Sequence, residues 1–281
     1  MQYDNIKQSL GRVFNRNPFL RKCFYTMLDL LLLRAWHIKK ELRRIRKSLP
    51  ADASILDAGA GFGQYTYYIA KIGQRRCRGR ACPRPILKWQ IKAIDVKTEQ
   101  IDDCNQFFSK IGKSDRVRFE LADLTTFNEP EQYHLAIAID VMEHINDDET
   151  VFRNIYNSLV PSGILLVSTP SDKQGHAHNN SSFIDEHVRD GYNIDEIKHK
   201  LTDVGFSEVD AQYTYGRPGR LSWLLSMKYP MLMLGITKFF FIILPIYYLI
   251  TFPFSLLLNF CDVKIKHKSG TGLIVIASKK V

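Results

Sequence analysis

The sequence predicts an α/β fold: a sheet flanked by helices, with a helical extension at its N-terminal end and a hydrophobic helical insertion near its C-terminal end. Three observations carry this expectation. A length of 281 residues with 45% apolar content suits one large α/β domain with additions. The stretch "SILDAGAGFGQYTYYIAKIG", residues 54–73, reads as a short apolar strand, a glycine-rich turn and an amphipathic helix. No charged residue occurs from Phe239 to Phe260.

Charge is distributed unevenly. Residues 1–50 hold twelve Lys or Arg against three acids, and residues 71–92 hold eight against none, while the whole chain is at +10. A local basic excess of this kind suits an anionic surface, such as phospholipid head groups or nucleic acid. The five cysteines are odd in number and scattered, so no disulfide framework is implied. The start of the sequence lacks a signal-peptide layout, because its apolar run "MLDLLLL" begins late and contains Asp29. A reducing, cytosolic setting is expected.

Taken in order, Phe19 to Lys47 reads as one helix closed by Pro50, with apolar residues at three- and four-residue steps. Leu28, Leu31, Leu32, Ile38 and Leu42 would pack it on the domain. Arg34, Lys39, Lys40, Arg43, Arg44, Arg46 and Lys47 would be available to a phospholipid surface. The glycine turn that follows has the form D-x-G-x-G-x-G, from Asp57 through Gly59, Gly61 and Gly63. A dehydrogenase fingerprint spaces its last glycine one residue further on and usually lacks the acid, which disfavours a NAD-dependent reductase.

These residues resemble the class I S-adenosylmethionine-dependent methyltransferases, from about Ser54 to Phe206 and again at "TGLIVIASKK". Within that span "WQIKAIDV" looks like the second strand with Asp95 at its end, and "RVRFELADLTTF" the third with Asp123 at its end. "YHLAIAIDVMEHI" looks like the fourth, carrying Asp140, Glu143 and His144, and "SGILLVSTP" the fifth. The resemblance implies a Rossmann-like seven-stranded sheet whose sixth and seventh strands run antiparallel. It also implies S-adenosyl-L-methionine as cofactor, contacted by Asp57, Gly59, Gly61, Gly63, Asp95, Asp123, Leu124 and Asp140. Asp95 would accept hydrogen bonds from the ribose hydroxyls and Asp123 from the adenine amino group, though each acid alone also reads as a turn or cap residue. One departure is plain: Gly63 and Asp95 lie further apart than the usual twenty or so residues. The surplus is "GQRRCRGRACPRPILK", an exposed loop in which the spacing of Cys77 and Cys82 fits a metal poorly.

The division expected is an N-terminal basic helical segment over 1–50, a cofactor-binding domain over 51–215 and 270–281, and a membrane-associating insertion over 216–269. Methyl transfer from a sulfonium needs no general acid, and it needs a base only where the acceptor must lose a proton. Glu143 and His144 are the catalytic candidates, with His176, His178, His187 and Arg189 on the acceptor side; no metal is expected. The antiparallel final strands require the apolar insertion to leave and return on one side, so a single membrane crossing is excluded. Pro245 and Pro253 are expected to break the run into an in-plane or re-entrant hairpin, with Trp223, Tyr229, Tyr247 and Tyr248 at the interface. The reading is a methyltransferase for a hydrophobic or lipid-like small molecule of quinone, isoprenoid or acyl type, peripheral or monotopic at the cytoplasmic membrane face. The alternatives are a catalytically silent cofactor-binding membrane adaptor and a soluble-substrate enzyme with a capped site. Nucleic acid is disfavoured as a partner, since "DVMEH" stands where an Asn-Pro-Pro-Tyr-type motif would be.

Overall fold

The computed structural model describes residues 17–73, 87–174, 188–189, 191–237 and 240–280. Cys77, Cys82, nearly all of the basic loop, His176, His178 and His187 lie outside them.

Seven strands form one sheet in the order β3-β2-β1-β4-β5-β7-β6. They are β1 (Ser54–Ala58), β2 (Gln90–Asp95), β3 (Val117–Leu121), β4 (Tyr133–Ile139), β5 (Leu159–Pro170), β6 (Phe206–Thr214) and β7 (Gly272–Lys279). β1 to β5 run parallel, and β7 inserts antiparallel between β5 and β6, as expected. β1 and β4 are buried nearly throughout, the pattern of parallel strands covered on both faces.

The helices are α1 (Pro18–Leu31), α2 (Leu33–Ile45), α3 (Gln64–Ile72), α4 (Thr98–Lys110), α5 (Asp148–Ser158), α6 (Ile194–Val204), α7 (Arg217–Trp223), α8 (Tyr229–Ile236) and α9 (Phe240–Lys264). One face of the sheet is covered by a core joining Tyr25, Ile38, Leu42 and Ile45 of the first two helices to Ile69, Ile101 and Phe108. The other joins Val151, Phe152, Ile155, Ile197 and Leu201 to the strands. The first two helices thus contribute to the core of the domain.

The single N-terminal helix expected from periodicity is broken at Leu32, whose extended backbone (φ −88°, ψ 109°) separates α1 from α2. Its basic residues do not all face outward. Arg34 pairs with Asp140, Lys39 pairs with Asp29 and lies over the Tyr68 ring, and Arg43 donates to the Tyr68 hydroxyl. Desolvating a cation is tolerable only where an acid or acceptor meets it, and the domain supplies those partners.

The insertion is a helical hairpin: α7, a five-residue π-helical segment (Leu224–Lys228) and α8 run out, and α9 returns. Pro245 and Pro253 do not break α9, which continues through both. Contacts across the hairpin hold its flanks. Tyr247 and Tyr248 donate to the Leu225 and Ser226 carbonyls (2.7 and 2.9 Å), and Ser222 donates to the Ser255 carbonyl. The hydroxyls of Tyr247 and Tyr248 are therefore committed inside the hairpin, whereas Trp223 and Tyr229 are exposed.

Candidate active site

Beyond β1 the chain turns through Gly59, Gly61 and Gly63, all at positive φ (77°, 54° and 78°). Gly59 has no room for a side chain, because a Cβ there would stand 2.3 Å from Val141 Cγ2. At Gly61 a Cβ would meet only Gln100 Oε1, at 3.8 Å, so this side of the loop is open to a ligand. The N–H groups of Gly59 and Ala60 both donate to the Ile94 carbonyl, fixing the loop across the end of β2.

Asp57 lies beneath the loop and not in its mouth. It is buried and accepts from the Thr66 hydroxyl, which ties β1 to the first turn of α3. Burial pushes its carboxyl up to about 7, with the nearby Asp95 charge adding to the effect. Asp95 closes β2 at the mouth: Oδ2 accepts from the Gly61 N–H (2.8 Å) and Oδ1 from the Lys97 N–H (3.0 Å). Asp123 stands two residues past β3 and caps its own turn, with Oδ1 accepting from the Thr125 N–H and hydroxyl (2.8 Å each). Leu124 beside it is buried in the core. Asp140 follows β4 in a left-handed backbone (φ 52°), with its N–H donating to the Ser168 carbonyl.

Glu143 and His144 share a single 3₁₀ turn yet differ in environment. Glu143 is 1% exposed and accepts from the Thr169 hydroxyl, and burial raises its pKa. His144 is exposed. Arg189 belongs to a different network: it and Lys200 both pair with buried Asp148, which also accepts from the Tyr192 hydroxyl. That triple engagement makes Arg189 part of the scaffold. No group of three or more His, Cys, Asp or Glu able to hold a metal occurs among the described residues.

The wall over the loop comes from residues that the motif reading passed over. Arg21 and Tyr25 both donate to the Phe62 carbonyl, between Gly61 and Gly63, and Arg21 also donates to the Asp103 carbonyl. Gln64, at the start of α3, donates to Asp29 (2.8 Å). Arg21, Tyr25 and Asp29 stand at four-residue steps and share one face of α1. That spacing, with Arg21 and Asp29 on the same face of a largely apolar helix, was the available signal. From α2, Arg34 reaches Asp140, and its backbone N–H donates to the Tyr215 hydroxyl (3.0 Å). Arg34 thus pairs with Asp140 and interacts with the buried Glu143, while Asp95 closes β2 and Asp123 follows β3.

The root of the hairpin joins this wall. Asp262 of α9 is fully buried; it meets His37 of α2 (2.9 Å) and His267 and accepts from the Tyr215 and Gly219 N–H groups. Burial opposes its ionisation, but the bond to His37, the His267 charge and the Gly219 N–H outweigh it and hold the carboxyl below its usual value.

Comparison with known proteins agrees with this fold. A family model described as a methyltransferase domain matches residues 33–211. Phosphoethanolamine N-methyltransferase 1 of Triticum aestivum is 27% identical over 172 residues, and (S)-coclaurine N-methyltransferase of Papaver somniferum 24% over 163; each alignment covers 58% of this chain. The chain spans 30% of the length of the first and 39% of the second. Among solved structures, phosphoethanolamine N-methyltransferase 2 of Haemonchus contortus, in complex with S-adenosyl-L-methionine, superposes with a TM-score of 0.57 at 18% identity. That match covers 92% of this chain and 60% of the other. The [4+2]-cyclase SpnF superposes at 0.54 and 18%, over 88% and 83% of the two chains. With more than half of its length matched by the family model and the seven-stranded sheet in place, the chain belongs to the methyltransferase domain family and has the class I S-adenosylmethionine-dependent fold.

Proposed function

We propose that the chain transfers a methyl group from S-adenosylmethionine to a hydrophobic, lipid-like small molecule at a membrane face. The residues at the mouth suit this cofactor. Gly61 leaves one side of the loop open, Asp95 can accept from ribose hydroxyls, and the N-terminus of α3 offers N–H groups to a carboxylate. Acids near the ends of β2, β3 and β4, namely Asp95, Asp123 and Asp140, favour a cationic sulfonium over an anionic dinucleotide. S-adenosylmethionine, when bound, supplies the electrophilic methyl group, and the chain's own task is to orient the acceptor and keep water away. His144, exposed in the 3₁₀ turn that follows β4, would take a proton from a hydroxyl or phenol. Glu143, buried and held by Thr169, is suited to positioning the turn.

One observation carries the membrane part of the reading: α9 is amphipathic in the inverted sense. Its buried residues are Ser255, Asn259 and Asp262, while Ile242, Ile246, Leu249, Phe254 and Leu257 are each at least 60% exposed. A helix of a water-soluble domain turns its apolar stripe inward. Here the apolar side faces out along a 25-residue helix that contains an 18-residue stretch of mean hydropathy 2.1, and the polar side anchors it to the domain.

A second reading is favoured by the wheat relative, whose name specifies phosphoethanolamine: a small polar amine as acceptor, enclosed beneath α1 and α2. Lipid and aqueous extracts of cells with and without the gene, compared by mass, separate the two. The lipid reading predicts gene-dependent species one methylene heavier in the lipid fraction. A change confined to water-soluble amines would establish the second reading in its place.

A further inference from the structure

Between α1 and α9 lies an apolar groove of about 530 Å³, lined by Lys22, Cys23, Thr26, Met27, Leu30 and Leu31 on one side and Phe252 on the other. We infer that this groove holds an acyl chain of an anionic membrane phospholipid, and that α1 thereby links the lipid-facing surface to the cofactor loop. The inference rests on the membrane reading above and goes beyond it by assigning a chain-binding site.

Three observations identify the occupant. The groove is continuous in composition with exposed apolar residues on three helices: Met27 and Leu30 on α1, Leu232 and Ile236 on α8, and the outer side of α9. On α9 alone, Ile242, Ile246, Leu249, Ile250, Phe254 and Leu257 cover an arc of about 140°, taking 100° per residue, which is wider than the a/d seam of a helix pair. Residues 217–264 contain five Lys or Arg and one acid, the buried Asp262. A second copy pairing through this insertion would therefore bring two net-cationic segments together. Anionic head groups complement them, and Lys22 places a cation in the groove itself.

The opposite side of the same helix explains why occupancy would matter. Arg21 and Tyr25 hold the Phe62 carbonyl between Gly61 and Gly63, and Asp29 holds Gln64. α1 therefore lies between the groove and the loop, so a chain packed against Met27 and Leu30 supports the helix that fixes the loop. A groove of this volume is within the range of small-molecule sites, and filling it shields apolar surface that water otherwise wets.

The test uses the full chain bound to vesicles of phosphatidylcholine and phosphatidylglycerol that carry a diazirine-bearing phosphatidylglycerol, with cross-links mapped by mass spectrometry. Expected are flotation with the vesicles and label on both Cys23–Leu31 and α9. In Thr26→Trp, which places bulk in the groove that Thr26 lines, label on α1 should fall about tenfold, with flotation and α9 labelling unchanged. Label confined to α9 in the unmodified chain overturns the groove while leaving the membrane reading intact. An absence of flotation removes both. If α1 is shielded from label and Cys23 instead cross-links to Cys23 of another molecule, the occupant is a second copy and the lipid assignment is wrong.

Discussion

Asp57 and Asp95 sit on adjacent strands and differ in their surroundings. Asp57 is enclosed beneath the loop and held near 7 by burial, so folding favours its neutral form. The stabilisation this gives is fully present below the ordinary value near 3.8 and is lost as pH rises through about 7. Asp57→Asn removes the titration while keeping an acceptor for Thr66. In thermal melts the variant should therefore gain on the parent protein as pH rises from 4 to 7, and the difference should level off above 7. Asp95, half-buried at the mouth with its oxygens on Gly61 and Lys97, bears instead on the cofactor. Asp95→Ala and Gly61→Val should each abolish S-adenosylmethionine binding in calorimetric titration with far-UV circular dichroism unchanged. Unaltered affinity in both would remove these residues from the site.

At the scale of elements, α1 does more than cover the sheet. Arg21 makes hydrogen bonds to the carbonyls of Phe62 and Asp103 and to the Tyr25 hydroxyl. Arg21→Ala should weaken S-adenosylmethionine binding about tenfold, the effect of losing roughly 1.4 kcal/mol of loop positioning. Arg21→Lys should recover only part of it, since an ammonium cannot copy the planar fork. An unchanged Kd in Arg21→Ala would show that the loop holds itself. This clasp was hidden from sequence reasoning because its partners are 41 and 82 residues away along the chain. By contrast, the glycine turn and the acids near the ends of β2, β3 and β4 were legible from local pattern and the order of motifs, and the antiparallel β7 followed from the family resemblance. The break at Leu32 carried no Pro or Gly to announce it. The prolines of α9 misled for the opposite reason: helix-breaking rules describe an isolated helix, whereas here α7 and the π segment hold both flanks through Ser222, Leu225 and Ser226.

For the molecule as a whole, an α/β domain with acids near the ends of β2, β3 and β4 is joined to an outward-facing apolar hairpin by the buried carboxylate of Asp262 and by Lys40, which donates to the Val263 carbonyl. Hydrophobic attachment through the hairpin should dominate over charge. The protein should sediment with membranes and need detergent for release, with 1 M salt removing only a minor fraction, because screening weakens exposed charge and leaves apolar burial intact. Complete release by salt would assign attachment to the basic residues instead. The central claim, methyl transfer to a hydrophobic acceptor, is tested most directly by incubating the purified full chain with methyl-tritiated S-adenosylmethionine and total membrane lipid, then partitioning the products. The account predicts enzyme-dependent label in the organic phase, lost in Asp95→Ala; label that appears only in the aqueous phase, on addition of water-soluble amines, would contradict it.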